Sequence, residues 1–268
     1  MYLCVDIGGT KTLVALVNGR GRILKSVRFA TAHDQGQFLT TLVQEIRANL
    51  PLTEVRMVSV AMPGTVKNNK APKLGNLPWK DFDIARDLGE EFGLPVVVGN
   101  DANLAGLAEG AKFKGLTLYL TFSTGVGGSV MKNGQLDETR QNYEPGHKEY
   151  EWGGKRMEWE DFASAKAVVE RFGKLTSEIR ARKDWKEVAA RISVGLGPEI
   201  IELRPDRVVF GGPLGRALFR YRRYLKKELR ERLPSEVKLP RLRRAKFDGG
   251  ESVIYGCFMY ARDQITDK

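Results

Sequence analysis

Asp6-Ile7-Gly8-Gly9-Thr10-Lys11 follows the apolar run Tyr2–Val5 and precedes a second run, Leu13–Val17, that stops at Asn18-Gly19. Two strands joined by a Gly-Gly-Thr tip read as a β-hairpin. Glycines at such a tip let backbone N–H groups approach an anion, because no Cβ intervenes. Thr10 adds a hydroxyl donor, Lys11 a point positive charge, and Asp6 a strand-end carboxylate suited to a hydrated Mg²⁺. An ordinary Gly-Gly hairpin carries the same residues, so this stretch alone leaves a phosphate grip and a plain turn both open. The patterns G-x-x-x-x-G-K-[ST] and G-x-G-x-x-G are absent. Any phosphate held here is therefore held by a hairpin and not by a helix start.

Two further glycine tips follow apolar runs: Thr124-Gly125-Val126-Gly127-Gly128 and Gly211-Gly212. The Ser123-Thr124-Gly125 hydroxyls and amides suit phosphate contact, and Gly211-Gly212-Pro213 offers a flat backbone face to an adenine ring. Three such tips point to a nucleotide cleft. Asn100-Asp101 closes another apolar run and opens a helix. An aspartate there reads either as a helix cap or as a fixed carboxylate, kept ionised by the helix dipole, that takes the proton of a hydroxyl during phosphoryl transfer.

The elements that must place these residues follow from periodicity. Residues 21–29 extend the first hairpin as a third strand, and 37–49 carry Phe38, Leu42 and Ile46 at helical spacing. Residues 55–62 read as a buried strand ending at Pro63-Gly64. A loop through Pro72 and Trp79 leads to a helix over 84–92, then a short strand over 95–98 and a helix over 102–111. The plan restarts with strands over 117–122 and 129–132 around a Gly-rich tip at 123–128, which suggests two related lobes. Helices are expected over 160–179 and 185–203, a strand over 207–210, and a final helix over 254–264. Two α/β lobes with a cleft between them result.

The chain has 268 residues, 42% hydrophobic and 29% charged, with a formal net charge of +11. It contains no membrane-length apolar run and does not open as a signal peptide. Cys4 and Cys257 sit in apolar surroundings and read as buried thiols of a reducing compartment, so the cytoplasm is expected. Residues 220–246 hold twelve Lys or Arg against three Glu. That cluster reads as a solvated helix face or as a surface for a polyanion, and no nucleic-acid-binding motif accompanies it.

Asp6–Lys11, Pro63-Gly64, Asn100-Asp101-Ala102-Asn103, Thr124–Gly128, Glu144-Pro145-Gly146-His147 and Gly211-Gly212, in this order, resemble the ROK family of bacterial sugar kinases, repressors and related open reading frames. The resemblance covers essentially the whole chain. It implies an α/β two-lobe actin-like ATPase fold, ribonuclease H-like, with an interdomain cleft. Residues 1–112 plus 252–268 would form the small N-terminal lobe and 113–251 the large C-terminal one. It further implies ATP-dependent phosphorylation of a hexose at its 6-hydroxyl, with Asp101 as the base. Gly64, Asn76, Asn100, Asp101, Glu144, His147 and Glu160 match positions that bind the sugar. Gly8, Gly9, Thr10, Lys11, Thr124, Gly125, Gly211 and Gly212 would hold Mg-ATP, and Asp6 the Mg²⁺ through water. Homodimers are common in the family; no membrane or nucleic-acid partner is expected.

The family's zinc motif, His followed by C-x-C-G-x-x-G-C-x-E, is departed from here. Its cysteine positions fall on Glu151, Gly153 and Glu158, so no structural zinc is expected, with Trp152, Met157 and Trp159 packing in its place. The polyphosphate glucokinase branch shares this loss, and the excess basic charge suits polyphosphate as an alternative donor. A non-catalytic sugar-binding regulator of the same family is the other alternative. Regulators carry an N-terminal helix-turn-helix, whereas Met1 here leads directly into the first strand.

Overall fold

The first apolar runs build one sheet, and the same plan recurs in the second half of the chain. The computed structural model describes residues 1–67, 69–74, 77–141, 143–247 and 250–266. The chain forms two compact units, Met1–Ala108 with Gly250–Lys268, and Glu109–Gly249.

In the first unit, β1 (Tyr2–Ile7) and β2 (Lys11–Val17) pair antiparallel from Tyr2↔Val17 to Ile7↔Thr12, and β3 (Ile23–Ala30) continues the meander. The helix α1 (Gln35–Asn49) starts at Asp34, whose carboxylate accepts the Gln37 N–H, and it buries Phe38, Leu42 and Ile46. The strand β4 (Met57–Met62) lies parallel to β1. Where the sequence suggests a loop, β5 (Thr65–Lys67), β6 (Lys70–Lys73) and β7 (Lys80–Phe82) form a small antiparallel sheet. These strands are too short to show a period. Trp79 and Phe82 anchor their region on Phe38, with ring centroids 4.4 Å and 6.2 Å away.

The helix α2 (Ile84–Phe92) ends at Gly93 in the left-handed conformation, φ 64°. It feeds β8 (Val96–Asn100), parallel to β4, and α3 (Asp101–Gly110) follows at once. The sheet order is β3-β2-β1-β4-β8. Along β1, Leu3, Val5 and Ile7 join the cluster with Phe38, Leu42 and Leu88, while Tyr2 and Cys4 join Leu104, Ile254 and Phe258. Strand alternation therefore assigns Asp6 to the face of Tyr2 and Cys4.

The second unit repeats the plan. β9 (Leu116–Phe122) and β10 (Val126–Lys132) are antiparallel, with β11 (Gln135–Leu136) at the edge. The tip between them is Ser123–Gly125 alone; Gly127 and Gly128, expected in the tip, lie within β10. A hairpin that the sequence reading missed, β12 (Glu149–Trp152) and β13 (Lys155–Glu158), leads into α4 (Trp159–Ala163). The helix expected over 160–179 is divided. Ser164 ends α4 and caps α5 (Ala165–Phe172) by accepting the Ala167 N–H at 3.1 Å, and α5 stops at Gly173, φ 63°.

The long α6 (Arg182–Leu203) precedes β14 (Arg207–Gly211), which lies parallel to β9. Then come α7 (Gly212–Arg216), α8 (Leu218–Arg232) and β15 (Arg241–Arg244), giving the order β11-β10-β9-β14-β15. The basic stretch is thus divided between α8, which buries Leu218, Tyr221, Leu225 and Leu229, and an edge strand.

The last helix, α9 (Glu251–Thr266), belongs to the first unit, where Phe258 meets Tyr2 edge-on at 5.3 Å. Cys4 and Cys257 are buried free thiols, and burial pushes both above the ordinary thiol range. Among the described residues no helix is long and apolar enough to cross a membrane.

Candidate functional site

The first unit holds the hairpin tip and the β8–α3 junction. The Gly8 N–H donates to Lys11 O at 3.0 Å and closes the turn, where a Cβ on Gly8 would lie 3.0 Å from that same oxygen. Thr31 fixes the tip from beneath: its hydroxyl donates to Gly8 O at 2.8 Å, and its N–H donates to Thr10 O at 3.1 Å. Thr12 and Thr31 share a buried hydroxyl contact of 2.9 Å. Gly8 and Gly9 are half-buried, while Thr10 and Lys11 are exposed. The tip is a preformed turn that presents a hydroxyl and a cation.

At the junction, Asn100 takes the capping role that the sequence leaves open for Asp101. Its Oδ1 accepts the Asn103 N–H at 2.9 Å, and its Nδ2 donates to Gly64 O at 2.8 Å. Gly64 has φ 83°, a left-handed turn that sends the chain out of β4. Asp101 stands in the first turn of α3, half-buried, with Oδ1 accepting the Ala102 N–H at 2.7 Å. Asn76 lies outside the described residues.

Asp6 shares the electrostatic field of Asp101. Burial first, and then the Asp101 charge, push the Asp6 carboxyl up to about 7, with Arg28 opposing. A buried carboxylate beside a second negative charge fits a hard divalent cation with oxygen ligands, so Asp6 suits Mg²⁺.

The second unit gathers Glu144, His147 and Glu160 around the β9–β10 tip. Ser123 N–H donates to Gly125 O at 2.9 Å, and Thr124 is exposed at the turn. Glu160, on α4, accepts the Val126 N–H at 3.1 Å through Oε2. A Cβ on Gly125 would sit 2.4 Å from that oxygen; one on Gly146 would sit 2.3 Å from Val126 O and 2.8 Å from Glu160 Oε2. A Cβ on Gly128 would strike Pro145 and Tyr143, both at 2.8 Å. Gly128 therefore lets the Glu144–His147 segment lie against β10, a packing role.

Glu144 is half-buried, and its carboxyl is raised by burial, with Glu160 adding and His147 opposing. The exposed His147 has Nδ1 2.9 Å from Glu158 Oε2, and that hydrogen bond raises its imidazole above the ordinary 6.5. Sequence reasoning missed this role of Glu158. Three carboxylates and an imidazole thus stand together, a donor and acceptor set suited to vicinal hydroxyls.

Gly211 ends β14 and Gly212 opens α7. Packing accounts for both: a Cβ would come within 2.3 Å of Tyr119 Oη or 2.4 Å of Phe122 O, and Gly212 has φ 71°.

The zinc pattern does not fit these residues. Glu151 is exposed on β12 opposite Arg156, and Gly153 is at the β12–β13 turn and has no donor. His147, Glu158 and Glu160 bring donor atoms within 4.8 Å of one another, but one imidazole with two carboxylates is not the thiolate set of a structural zinc. Trp159 fills the space beneath as core, and Trp152 stacks on Phe162 at 5.5 Å. In proton NMR, we expect the His147 ring to titrate above 6.5 and the Glu158→Gln variant to lower that midpoint. Only two histidines need assignment. A ring that fails to titrate because a metal holds it would contradict this reading.

A hairpin tip, parallel strands and a carboxylate at a strand–helix junction, built on a sheet plan used twice, define an α/β fold of the actin-like ATPase class. Residues 2–264 match the ROK family, and the chain belongs to it. A fructokinase of Zymomonas mobilis is 29% identical over 245 residues, covering 79% of each chain. The solved structure of a ROK family glucokinase from Streptomyces griseus, in complex with glucose and AMPPNP, superposes with a TM-score of 0.82 at 23% identity, over 98% of this chain and 99% of that one. An inorganic polyphosphate/ATP-glucomannokinase from Arthrobacter gives a TM-score of 0.75 at 26% identity over 98% of both.

Proposed function

We propose that this chain transfers the γ-phosphate of ATP to the 6-hydroxyl of a hexose, with Asp101 as general base. The observation that carries this is the division of labour at the β8–α3 junction. Asn100 caps the helix and grips Gly64, so Asp101 is not needed as the cap. The fructokinase and glucokinase relatives support the substrate class.

In this reading Asp101 accepts the hydroxyl proton as the sugar oxygen attacks in line. Gly64, Asn76 and Asn100 orient the sugar with Glu144, His147 and Glu160, the last three acting as fixed acceptors and donors for ring hydroxyls. Gly8, Gly9, Thr10, Lys11, Thr124 and Gly125 hold the phosphates, and Gly211 and Gly212 present their backbone to the base. Mg²⁺, when bound beside Asp6 through water, would supply charge neutralisation on the phosphates. Most of the acceleration comes from positioning. No structural zinc takes part. A coupled ADP assay over a panel of hexoses tests the reading: ADP release should depend on one or more sugars, and a panel with no sugar-dependent release would defeat it.

A second donor has its own support. Arg222 and Lys226 of α8 and Arg241, Arg243 and Arg244 of β15, with Leu242, line a groove of about 470 Å³. Such a groove suits an extended polyanion, held with strong salt dependence. If polyphosphate is a donor, replacing Arg241, Arg243 and Arg244 by Gln raises the KM for polyphosphate about tenfold and leaves that for ATP within about twofold, since three charges near an anion contribute on the order of 1 kcal/mol together when exposed. Equal effects on the two donors would exclude the groove as a donor site.

A further inference from the structure

Glu199 lies on α6 with its carboxylate completely buried, beside Leu196 and Ile200 in the core of the second unit. A carboxylate in that stripe is costly, and an apolar residue of similar size would pack there at least as well. Its contacts show what it holds. Tyr143 Oη donates to Glu199 Oε2 at 2.5 Å, and Lys148 Nζ lies 2.6 Å from Oε1. Tyr143 and Lys148 flank the segment Glu144-Pro145-Gly146-His147 on its two sides.

The grip is reinforced around its edge. Lys148 Nζ also donates to Glu202 Oε2 at 3.2 Å, Arg140 reaches Glu202 Oε1 at 2.9 Å, and Lys148 Nζ stands 5.7 Å from the centre of the Tyr143 ring. The Tyr143 ring itself rests where Gly128 has no side chain. For Lys148, burial works against the charge, but the Glu199 and Glu202 carboxylates outweigh it and hold the ammonium above its ordinary range. For Tyr143, burial and then the Glu199 charge push the phenol far above its ordinary range, so it stays a donor at every working pH.

We propose that Glu199 is a positioning residue: one buried carboxylate ties down both flanks of the segment that carries Glu144 and His147, and so sets hexose affinity without touching the sugar. This rests on the sugar-binding role proposed for those two residues. Between the flanks, Pro145 and Gly146 are buried against β10 and Glu160, while Glu144 is half-buried and His147 is exposed beside Glu158. Loss of the central carboxylate therefore frees the two flanks that place Glu144 and His147 together, not one contact.

The test compares wild type with Glu199→Gln and with Tyr143→Phe. Glu199→Gln keeps an acceptor for the Tyr143 hydroxyl but removes the charge that holds Lys148. Tyr143→Phe removes the hydroxyl and keeps the ring in place. Two readouts are taken on each folded variant. Amide hydrogen exchange across residues 143–149 should accelerate at least tenfold while the β9 and β14 amides stay as in wild type. The KM for the hexose should rise about tenfold, with kcat and the KM for ATP within about twofold.

Unchanged exchange over 143–149 in a folded variant, or a KM for hexose and a KM for ATP that rise together, would overturn the proposal. If Glu199→Gln does not fold, Tyr143→Phe decides alone by the same criteria. Absence of hexose-dependent turnover in the wild type would defeat the kinase reading, and the exchange result would still decide whether Glu199 holds the segment.

Discussion

Asp101→Asn lowers kcat for hexose phosphorylation by ~10²- to 10⁴-fold, the range expected when a positioned general base is removed. The amide keeps the size and the hydrogen-bonding reach of the carboxylate, so the KM values for hexose and ATP change little. A loss confined to kcat marks an interaction made in the transition state. Stability should not fall with activity. Asn100 carries the cap of α3, and the Asp101 charge is itself a burden on Asp6.

The sign of that burden gives a second readout on the same variant. The Asp6 carboxyl is raised from an ordinary 3.8 to about 7. A carboxyl raised on folding favours the native state below its unfolded value, and that advantage is lost as pH rises through about 7. The metal-free wild type should therefore lose stability between about pH 4 and pH 7, and Asp101→Asn should lose less of it. Thermal melts in a chelator across this range check both statements. A variant that loses activity and melts earlier at every pH would point to a structural role for Asp101 instead.

Gly256→Ala is expected to have the largest effect on the fold. A Cβ at this position of α9 would lie 1.9 Å from Leu104 O and 2.3 Å from its carbonyl carbon. Both atoms are backbone in the middle of α3, so no rotamer change relieves the clash and the two helices must separate. Overpacking of this kind costs about 1–3 kcal/mol, and a fixed backbone partner places it at the upper end. For a unit of this size that corresponds to a melting temperature lower by roughly 5–10 °C. Because α3 carries Asp101 in its first turn, the residual folded enzyme should also show reduced kcat. A melting temperature within about 1 °C of wild type would mean that α3 and α9 do not approach so closely.

Much of the scaffold was legible from apolar runs. The β1–β2 hairpin, the buried strand before Gly64, the helix over 84–92 and the repeat of the plan after residue 116 all follow from apolar patterning and glycine punctuation. What escaped was structure made of short or polar pieces. The strands β5, β6 and β7 have three or four residues each, and β12–β13 is a charged hairpin. The break at Ser164 was hidden because its hydroxyl can cap a new helix in the middle of a helical composition.

Within the candidate site, motif order pointed to the residues but not to what each glycine does. Gly128 and Gly146 are required by the packing of the Glu144–His147 segment, and Gly211 and Gly212 by Tyr119 and Phe122. Sequence spacing cannot separate close packing from ligand contact, since each removes the side chain for the same steric reason. Glu199 left a readable trace: a charged residue inside the stripe Ile192, Leu196 and Ile200 of α6. Its partners, Tyr143 and Lys148, lie about fifty residues earlier, and no local pattern links them.

The central claim is transfer of phosphate from ATP to a sugar hydroxyl. Phosphorus NMR of wild-type protein incubated with Mg-ATP and single hexoses tests it most directly, because it identifies the product and its position together. The expected result is a hexose 6-phosphate resonance growing one for one with ADP for at least one sugar, and absent for Asp101→Ala. ADP with inorganic phosphate and no sugar phosphate, or an unchanged ATP spectrum with every hexose, would contradict the account.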